Sequence, residues 1–137
     1  MTSKKALAST ILLTLVATLS LAAVPQESGS SKHEITAVDL KKRLDKNQKT
    51  IILDSRGSVS GQTIKGAVHV PTSEVADWAK SAEKDSFIVT FCTCPHDEAA
   101  EASVAKLRDL GFKNSFSLKG GLNAAIQAGI PTAEVSE

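Results

Sequence analysis

Short apolar segments alternate with amphipathic helical patterns from about residue 35 to residue 132, and this alternation restricts the possible folds most. Strands are predicted at 51–53, 67–70, 87–91 and 115–118. The clearest helical pattern runs from about 98 to 110, where Val104, Leu107 and Leu110 recur at helical spacing. The alternation predicts an α/β fold of three layers, with a mostly parallel central sheet and helices on both faces.

Several residues mark where the helices begin and end. Thr36 and Asp39 have the spacing of a capping box, which predicts a helix to about residue 45. A short helix at about 75–82 is predicted to be capped by residue 72 or 73, and residues 57–63 are predicted to form a loop. Gly111 is expected to end the helix at 98–110, and Gly120 with Gly121 to open the last helix.

The first residues have the three-part pattern of a secretory signal peptide. A basic opening precedes an apolar run at 6–21, and small residues follow it. This predicts a signal peptide at 1–23, a flexible leader at 24–33 and one folded domain at 34–137, in a periplasmic or secreted protein. A membrane anchor is the competing interpretation, although the run is short and contains hydroxyl residues.

The balance of charges excludes one class of partner. Of 16 basic side chains, Lys4 and Lys5 would leave with the signal peptide, so 14 would remain against 15 acidic ones. The mature chain would have a net charge near −1 and no basic stripe. Nucleic acid is therefore not an expected partner, and no membrane association is expected after cleavage.

Both cysteines lie in one loop, directly after the predicted strand 87–91. The loop contains Cys92, Thr93, Cys94, Pro95, His96, Asp97 and Glu98 and continues into the helix at about 98. A helix amino terminus stabilises an anion and is expected to lower the pKa of a cysteine facing it. Since parallel strands end at one edge of the sheet, this loop is expected near three other groups, Asp54, Arg56 and residues 119–121.

Five segments, in order, resemble the rhodanese-like domain family, of the single-domain sulfurtransferase type. They are the strand with its Asp and Arg at 51–56, the Gly-Ala segment at 64–71, the Phe-Cys pair at 91–92, and the glycine segments at 111–114 and 118–121; a final Gly-Ile-Pro at 129–131 extends the match. The loop resembles a Cys-x-Cys-Pro variant of the family. The resemblance covers about residues 35–132.

The resemblance implies a sulfurtransferase that needs no metal or organic cofactor. Cys92 would accept a sulfane sulfur from a small donor such as thiosulfate, hold it as a persulfide, and pass it to cyanide or a thiol. A protein thiol is a possible partner. The loop residues would cradle the persulfide with backbone N–H groups, and the supporting rim would consist of Asp54, Arg56, Lys119 and Gly120. An ordinary buried salt bridge is the equal alternative for Asp54 and Arg56.

This sequence departs from the family pattern at three places. Asp97 stands where relatives often have Arg, and an acid there would repel an anionic donor and raise the pKa of the thiol. The stretch from Cys92 to Gly111 is two residues longer than usual, so Cys94 has the usual spacing while Cys92 has the usual place after the strand. Cys92 is the favoured nucleophile. Ala125 replaces a common Trp.

Other interpretations of the loop stay open. The cysteines could form a non-catalytic or dithiol redox module that carries sulfur or electrons, or a structural bridge. A metal site with His96 lacks a fourth ligand, and a phosphatase loop would end in Arg. Asp97 and Glu98 are expected mainly to cap the helix that follows, and His96 is either a proton donor or a solvated side chain.

Overall fold

The computed structural model describes residues 32–135, which form an α/β domain. The predicted signal peptide and the leader up to residue 31 lie outside the described residues. The strands are β1 (Glu34–Ile35), β2 (Ile51–Asp54), β3 (Gly61–Ile64), β4 (Val68–His69), β5 (Ile88–Phe91), β6 (Ser115–Leu118) and β7 (Thr132–Val135). The helices are α1 (Ala37–Asp45), α2 (Val75–Trp78), α3 (Glu98–Asp109) and α4 (Gly121–Gln127), with a 3-10 turn at Ala79–Ser81.

Five parallel strands form the central sheet in the order β1-β6-β5-β2-β4. Each side of the sheet packs against two helices. One core layer joins α1 and α4 to Ile52, Val89 and Phe91, and the other joins α2 and α3 to Leu53 and Ile88. The prediction of a three-layer fold with a mostly parallel sheet is therefore confirmed. Within residues 32–135, no helix has the length and apolar character needed to cross a membrane.

The predicted helix boundaries are close to those observed. The Thr36 hydroxyl accepts a hydrogen bond from the Asp39 N–H at 3.1 Å and donates one to the Asp39 carboxylate at 2.8 Å. Gly111, at φ +94°, ends α3: its N–H donates to Arg108, and that of Phe112 donates to Leu107. This pair of bonds is the Schellman arrangement, in which a glycine takes the left-handed conformation after the last turn.

Two local predictions are wrong. The predicted loop at 57–63 includes most of β3, which pairs antiparallel with β7 in a separate two-stranded sheet. The second wrong prediction concerns the cap of α2. Residue 72 or 73 was expected there, but the cap residue is Glu74, and its side chain makes no capping hydrogen bond. The Thr72 hydroxyl instead donates to the Ala99 carbonyl in α3 at 2.8 Å, so Thr72 ties the segment before α2 to α3 rather than capping α2.

Candidate active site

Cys92 directly follows β5, the central strand, and its side chain is fully buried. Its sulfur accepts a hydrogen bond from the backbone N–H of Cys94 at 3.4 Å. Its carbonyl oxygen accepts one from the N–H of Leu122, in the first turn of α4, at 3.1 Å. Cys94 is partly exposed, and both cysteines are free thiols. The loop thus holds one enclosed sulfur and one more accessible sulfur.

Burial raises the pKa of Cys92 to about 11, and the neighbouring Cys94 side chain adds to the rise. The backbone N–H groups of Cys94 and Ala100 act in the opposite direction, because they stabilise the thiolate. The expected net lowering of this pKa by the helix terminus is therefore wrong: the N–H groups are present, but desolvation outweighs them. The acids of the loop, Asp97 and Glu98, are not the cause of the rise.

Asp97 occupies the last position before α3 with a left-handed backbone, φ 56°, and is only 9 % exposed. Its carboxylate makes no capping bond to α3, so the expectation that this acid caps the helix is wrong. Instead, Oδ2 accepts a hydrogen bond from the Gly120 N–H at 2.8 Å. Oδ1 is buried and has no hydrogen-bond partner within residues 32–135. Asp97 therefore ties the cysteine loop to the turn between β6 and α4.

Gly121 packs against the cysteine loop more closely than any other residue type would permit. A Cβ atom at this position would overlap the carbonyl oxygen of Cys92 and lie 3.2 Å from Oδ1 of Asp97. Its φ of +54° also lies in the left-handed region that favours glycine. The amino end of α4 can therefore meet the Cys92 backbone only because residue 121 has no side chain.

Asp54 and Arg56 form a buried ion pair at the end of β2. Arg56 Nε donates to Asp54 Oδ1 at 2.8 Å, and the Thr63 hydroxyl donates to Oδ2 at 2.8 Å. Asp54 raises the pKa of Arg56, and a thiolate at Cys92 would act in the same direction. Arg56 also donates to the Gln62 carbonyl at 3.0 Å. Asp54 and Arg56 therefore form a buried salt bridge at this end of the sheet, and the guanidinium charge is largely engaged by Asp54.

The remaining predicted site residues are on the surface. Thr93, Pro95, His96 and Glu98 are exposed, with Glu98 in the first turn of α3. Lys119 is also exposed; its backbone N–H donates to the Ile35 carbonyl, and among the described residues no hydrogen bond or ion pair joins its side chain to the cysteine loop. In this same part of the chain, no cluster of three His, Cys, Asp or Glu side chains is arranged to hold a metal ion.

Two residues beside Cys92, Gly121 and Ser55, were not predicted as site residues. Gly121 was expected to open a helix near the loop but not to touch the Cys92 backbone, because a glycine pair shows a turn and not which backbone approaches it. Ser55 follows β2, is 1 % exposed, and donates its N–H to the Phe91 carbonyl at 2.8 Å. The signal for Ser55 was available, since a hydroxyl residue followed a buried strand at the edge where the cysteine was expected.

Comparisons with known proteins agree on one family. The model of the rhodanese-like domain matches residues 36–128. Thiosulfate sulfurtransferase GlpE of Pseudomonas entomophila is 33 % identical over 70 residues, which is 51 % of this chain and 62 % of that protein. The protein of the same name in Pseudomonas fluorescens is 28 % identical over 78 residues, 56 % of this chain and 70 % of that one. The chain thus spans about six tenths of the first relative.

Solved structures share the same architecture. The solution structure of a rhodanese-like domain from an Anabaena sp. protein is 32 % identical, with a TM-score of 0.67 over 76 % of this chain and 80 % of that one. The crystal structure of a rhodanese-related protein from Thermoplasma volcanium is 26 % identical, with a TM-score of 0.62 over 74 % of this chain and 97 % of that one.

Proposed function

This chain belongs to the rhodanese-like domain family, and on that premise we propose that it is a sulfurtransferase that carries a sulfane sulfur as a persulfide on Cys92. The observation that carries the proposal is the position of Cys92 at the end of the central strand, where the N–H groups of Cys94 and Ala100 stabilise negative charge on its sulfur. A persulfide anion needs such donors, because the loop removes it from water.

The proposed reaction has two steps. The Cys92 thiolate attacks the sulfane sulfur of thiosulfate, a new S–S bond forms, and sulfite leaves with the electron pair of the broken S–S bond. Cyanide or a thiolate then attacks the outer sulfur, and the Cys92 thiolate is released. Sulfur is transferred without a net change in the redox state of Cys92, so no metal or organic cofactor takes part in this scheme.

Cys92 is preferred to Cys94 as the carrier. The sulfur of Cys92 receives the backbone N–H of Cys94, and the Cys92 backbone is fixed to α4 through the Leu122 N–H. Cys94 is partly exposed in the loop. In this proposal Cys94 is an auxiliary thiol, and a small thiol or a protein thiol is the natural acceptor. Thiosulfate is the donor class suggested by the names of the curated relatives.

Intact-mass analysis of the reduced protein tests the proposal. Incubation with thiosulfate should add the mass of one sulfur atom, and cyanide should remove it. Cys92→Ser should abolish the gain, whereas Cys94→Ser should retain it. A gain that survives in Cys92→Ser and disappears in Cys94→Ser would transfer the role to Cys94. No gain in the wild-type protein would contradict the sulfurtransferase.

A dithiol module is the second candidate function, and one observation favours it. The pKa of Cys92 is raised to about 11, partly by the Cys94 side chain, so little of its thiol is ionised at neutral pH. A protein that cycles between a dithiol and a Cys92–Cys94 disulfide would lose two hydrogens under a mild oxidant and gain no sulfur from thiosulfate. Intact-mass analysis after thiosulfate and after the oxidant therefore separates the two functions.

The compartment is part of the proposal. We infer export from the basic opening and apolar run within residues 1–23, which have the order of a signal peptide. Fractionation of cells that express the full chain, with the amino terminus of the product sequenced, provides the test. A product that starts near residue 24 outside the cytoplasm supports export, and an uncleaved cytoplasmic product contradicts it.

A further inference from the structure

Ser55 is the register neighbour of Cys92. Strands β2 and β5 are parallel, and the last pair of residues in their register is Asp54 and Phe91. The Ser55 N–H continues the ladder by donating to the Phe91 carbonyl at 2.8 Å. The next residues along the two chains are Ser55 and Cys92, so they lie side by side at the edge of the sheet. Neighbouring strands are about 4.8 Å apart.

The side chains of Ser55 and Cys92 are on the face of the sheet that α2 and α3 cover. In β2, Leu53 packs in the core layer of that face, and Ser55 comes two residues later. In β5, Ile88 packs in the same layer, and Cys92 comes four residues later. Side chains alternate along a strand, so residues two or four apart share a face. The two side chains therefore lie on the same face of the sheet, on neighbouring strands, rather than on opposite faces.

The Ser55 hydroxyl is buried and has no hydrogen-bond partner within residues 32–135. Its residue is 1 % exposed. Other buried hydroxyls of the domain have partners, among them those of Thr63, Thr90, Ser103 and Ser115. A buried hydroxyl without a partner is unfavourable, so such a group in a folded protein calls for an explanation.

We propose that the Ser55 hydroxyl donates a hydrogen bond to the sulfur at Cys92 whenever that sulfur carries negative charge, first as the thiolate and then as the persulfide. The persulfide part of this inference rests on the proposed function. No covalent bond is made or broken: the Ser55 side chain turns about its Cα–Cβ bond to bring the hydroxyl, which makes no hydrogen bond to the sulfur in the reduced structure, towards the anion. The outer sulfur of a persulfide lies about 2.05 Å beyond the first, which extends the anion further into the loop.

The hydrogen bond would complement the backbone donors. The N–H groups of Cys94 and Ala100 approach the sulfur from the loop and from the first turn of α3. Ser55 would approach from the neighbouring strand. In the reduced structure the hydroxyl is not bonded to the Cys92 sulfur, in keeping with the weakness of a neutral thiol as an acceptor. Hydrogen bonds to charged groups are stronger than those between neutral groups.

Ser55→Ala tests the proposal in the full chain, and Ser115→Ala is the matched control. The Ser115 hydroxyl is also buried but donates to the Phe112 carbonyl at 2.8 Å, at the far end of β6. In a Cys94→Ser background, iodoacetamide alkylation of Cys92 at one mildly alkaline pH should be about tenfold slower with Ser55→Ala, since a charge-assisted bond is lost. Ser115→Ala should leave the rate unchanged.

Thermal stability distinguishes this role from a structural one. Ser55→Ala removes an unpartnered group, so its melting temperature should equal or exceed that of the parent, whereas Ser115→Ala should melt lower. An unchanged alkylation rate in Ser55→Ala would overturn the proposal, whatever its melting temperature. If the wild-type protein gains no sulfur from thiosulfate, the proposed sulfurtransferase fails, while the alkylation rates still decide whether Ser55 stabilises the thiolate.

Discussion

Two opposing electrostatic effects act on the sulfur of Cys92. Burial disfavours the thiolate, and the backbone N–H groups of Cys94 and Ala100 favour it. Burial is the larger effect, so the resting protein holds a neutral thiol. Any step that leaves negative charge on this sulfur must therefore gain stabilisation from donors that are already in place, and the residues beside Cys92 decide how much is available.

The pKa of Cys92 makes the stability of the protein depend on pH. An unfolded cysteine has a pKa of about 8.5, and the folded value is about 11. The folded state holds this proton more tightly, so its contribution to stability is complete below about pH 8.5 and is lost as the pH rises towards 11. In urea unfolding, the free energy should fall more steeply between pH 8 and 10 for the wild type than for Cys92→Ala. Parallel pH profiles would contradict the raised pKa.

Gly121→Ala should damage the site through a single methyl group. The new Cβ would overlap the Cys92 carbonyl oxygen, and alanine is strained at φ +54°. We expect a loss of about 3 kcal/mol in the free energy of unfolding, measured in urea. Gly57→Ala is the control, because no atom lies within 4 Å of its Cβ position. Equal stability of the two variants would show that α4 can move away from the loop.

At the scale of elements, the cysteine loop and the turn between β6 and α4 form one connected unit. The Leu122 N–H donates to the Cys92 carbonyl, and the Gly120 N–H donates to the Asp97 carboxylate. These bonds connect both ends of the loop to a segment more than twenty residues later in the chain. The loop therefore keeps its shape through α4 as well as through its own sequence.

Asp97→Ala should loosen this unit. It removes the bond to Gly120 and places alanine at φ 56°, so we expect a loss of about 2 kcal/mol and faster hydrogen exchange of the Gly120 amide. Asp97→Asn keeps a carbonyl acceptor and tolerates the left-handed conformation, so its exchange should stay near that of the wild type. Glu98→Gln, an exposed neighbour, is a second control. Similar exchange in Asp97→Ala and Asp97→Asn would argue against the tether.

Elements with strong local signals could be predicted from sequence, and elements that depend on distant partners could not. Buried strand β5 and helix α3 have apolar patterns and a clear glycine stop. Strand β3 has the sequence Gly-Gln-Thr-Ile and exists through its pairing with β7, about seventy residues away. The position of Cys92 could be predicted because it directly follows a strand with a strong local pattern. The hydrogen bond from the Gly120 N–H to the Asp97 carboxylate could not be predicted, because it joins segments far apart in the chain.

On the scale of the whole molecule, Asp54 connects the two sheets. Its strand, β2, belongs to the five-stranded sheet, while Thr63, which donates to its carboxylate, lies in β3 of the small sheet. Its backbone carbonyl accepts the N–H of Val70, just after β4. Asp54 therefore accepts hydrogen bonds from three places: its carboxylate from Arg56 and from Thr63 of β3, and its backbone carbonyl from Val70 after β4.

Asp54→Asn should destabilise the whole domain. The substitution leaves the Arg56 guanidinium, which is mostly buried, without its anionic partner. Breaking such a pair on one side costs about 3 kcal/mol or more, measured as the free energy of unfolding. Asp77→Asn is the matched control, because its ion pair with Lys80 is exposed and should contribute little. If the two variants unfold alike, the Asp54 network does not hold the sheets together.

The pairing of β7 with β3 has a practical consequence for handling the protein. Glu134 in β7 is the register partner of Gln62, and the Gln62 carbonyl accepts a hydrogen bond from Arg56. The last described strand thus supports the guanidinium beside the cysteine loop through a single intermediate residue. Affinity tags, fusion partners or shortened forms that disturb residues 132–135 would therefore loosen the support of the Arg56 guanidinium, and under the proposed function they would change the surroundings of Cys92 as well.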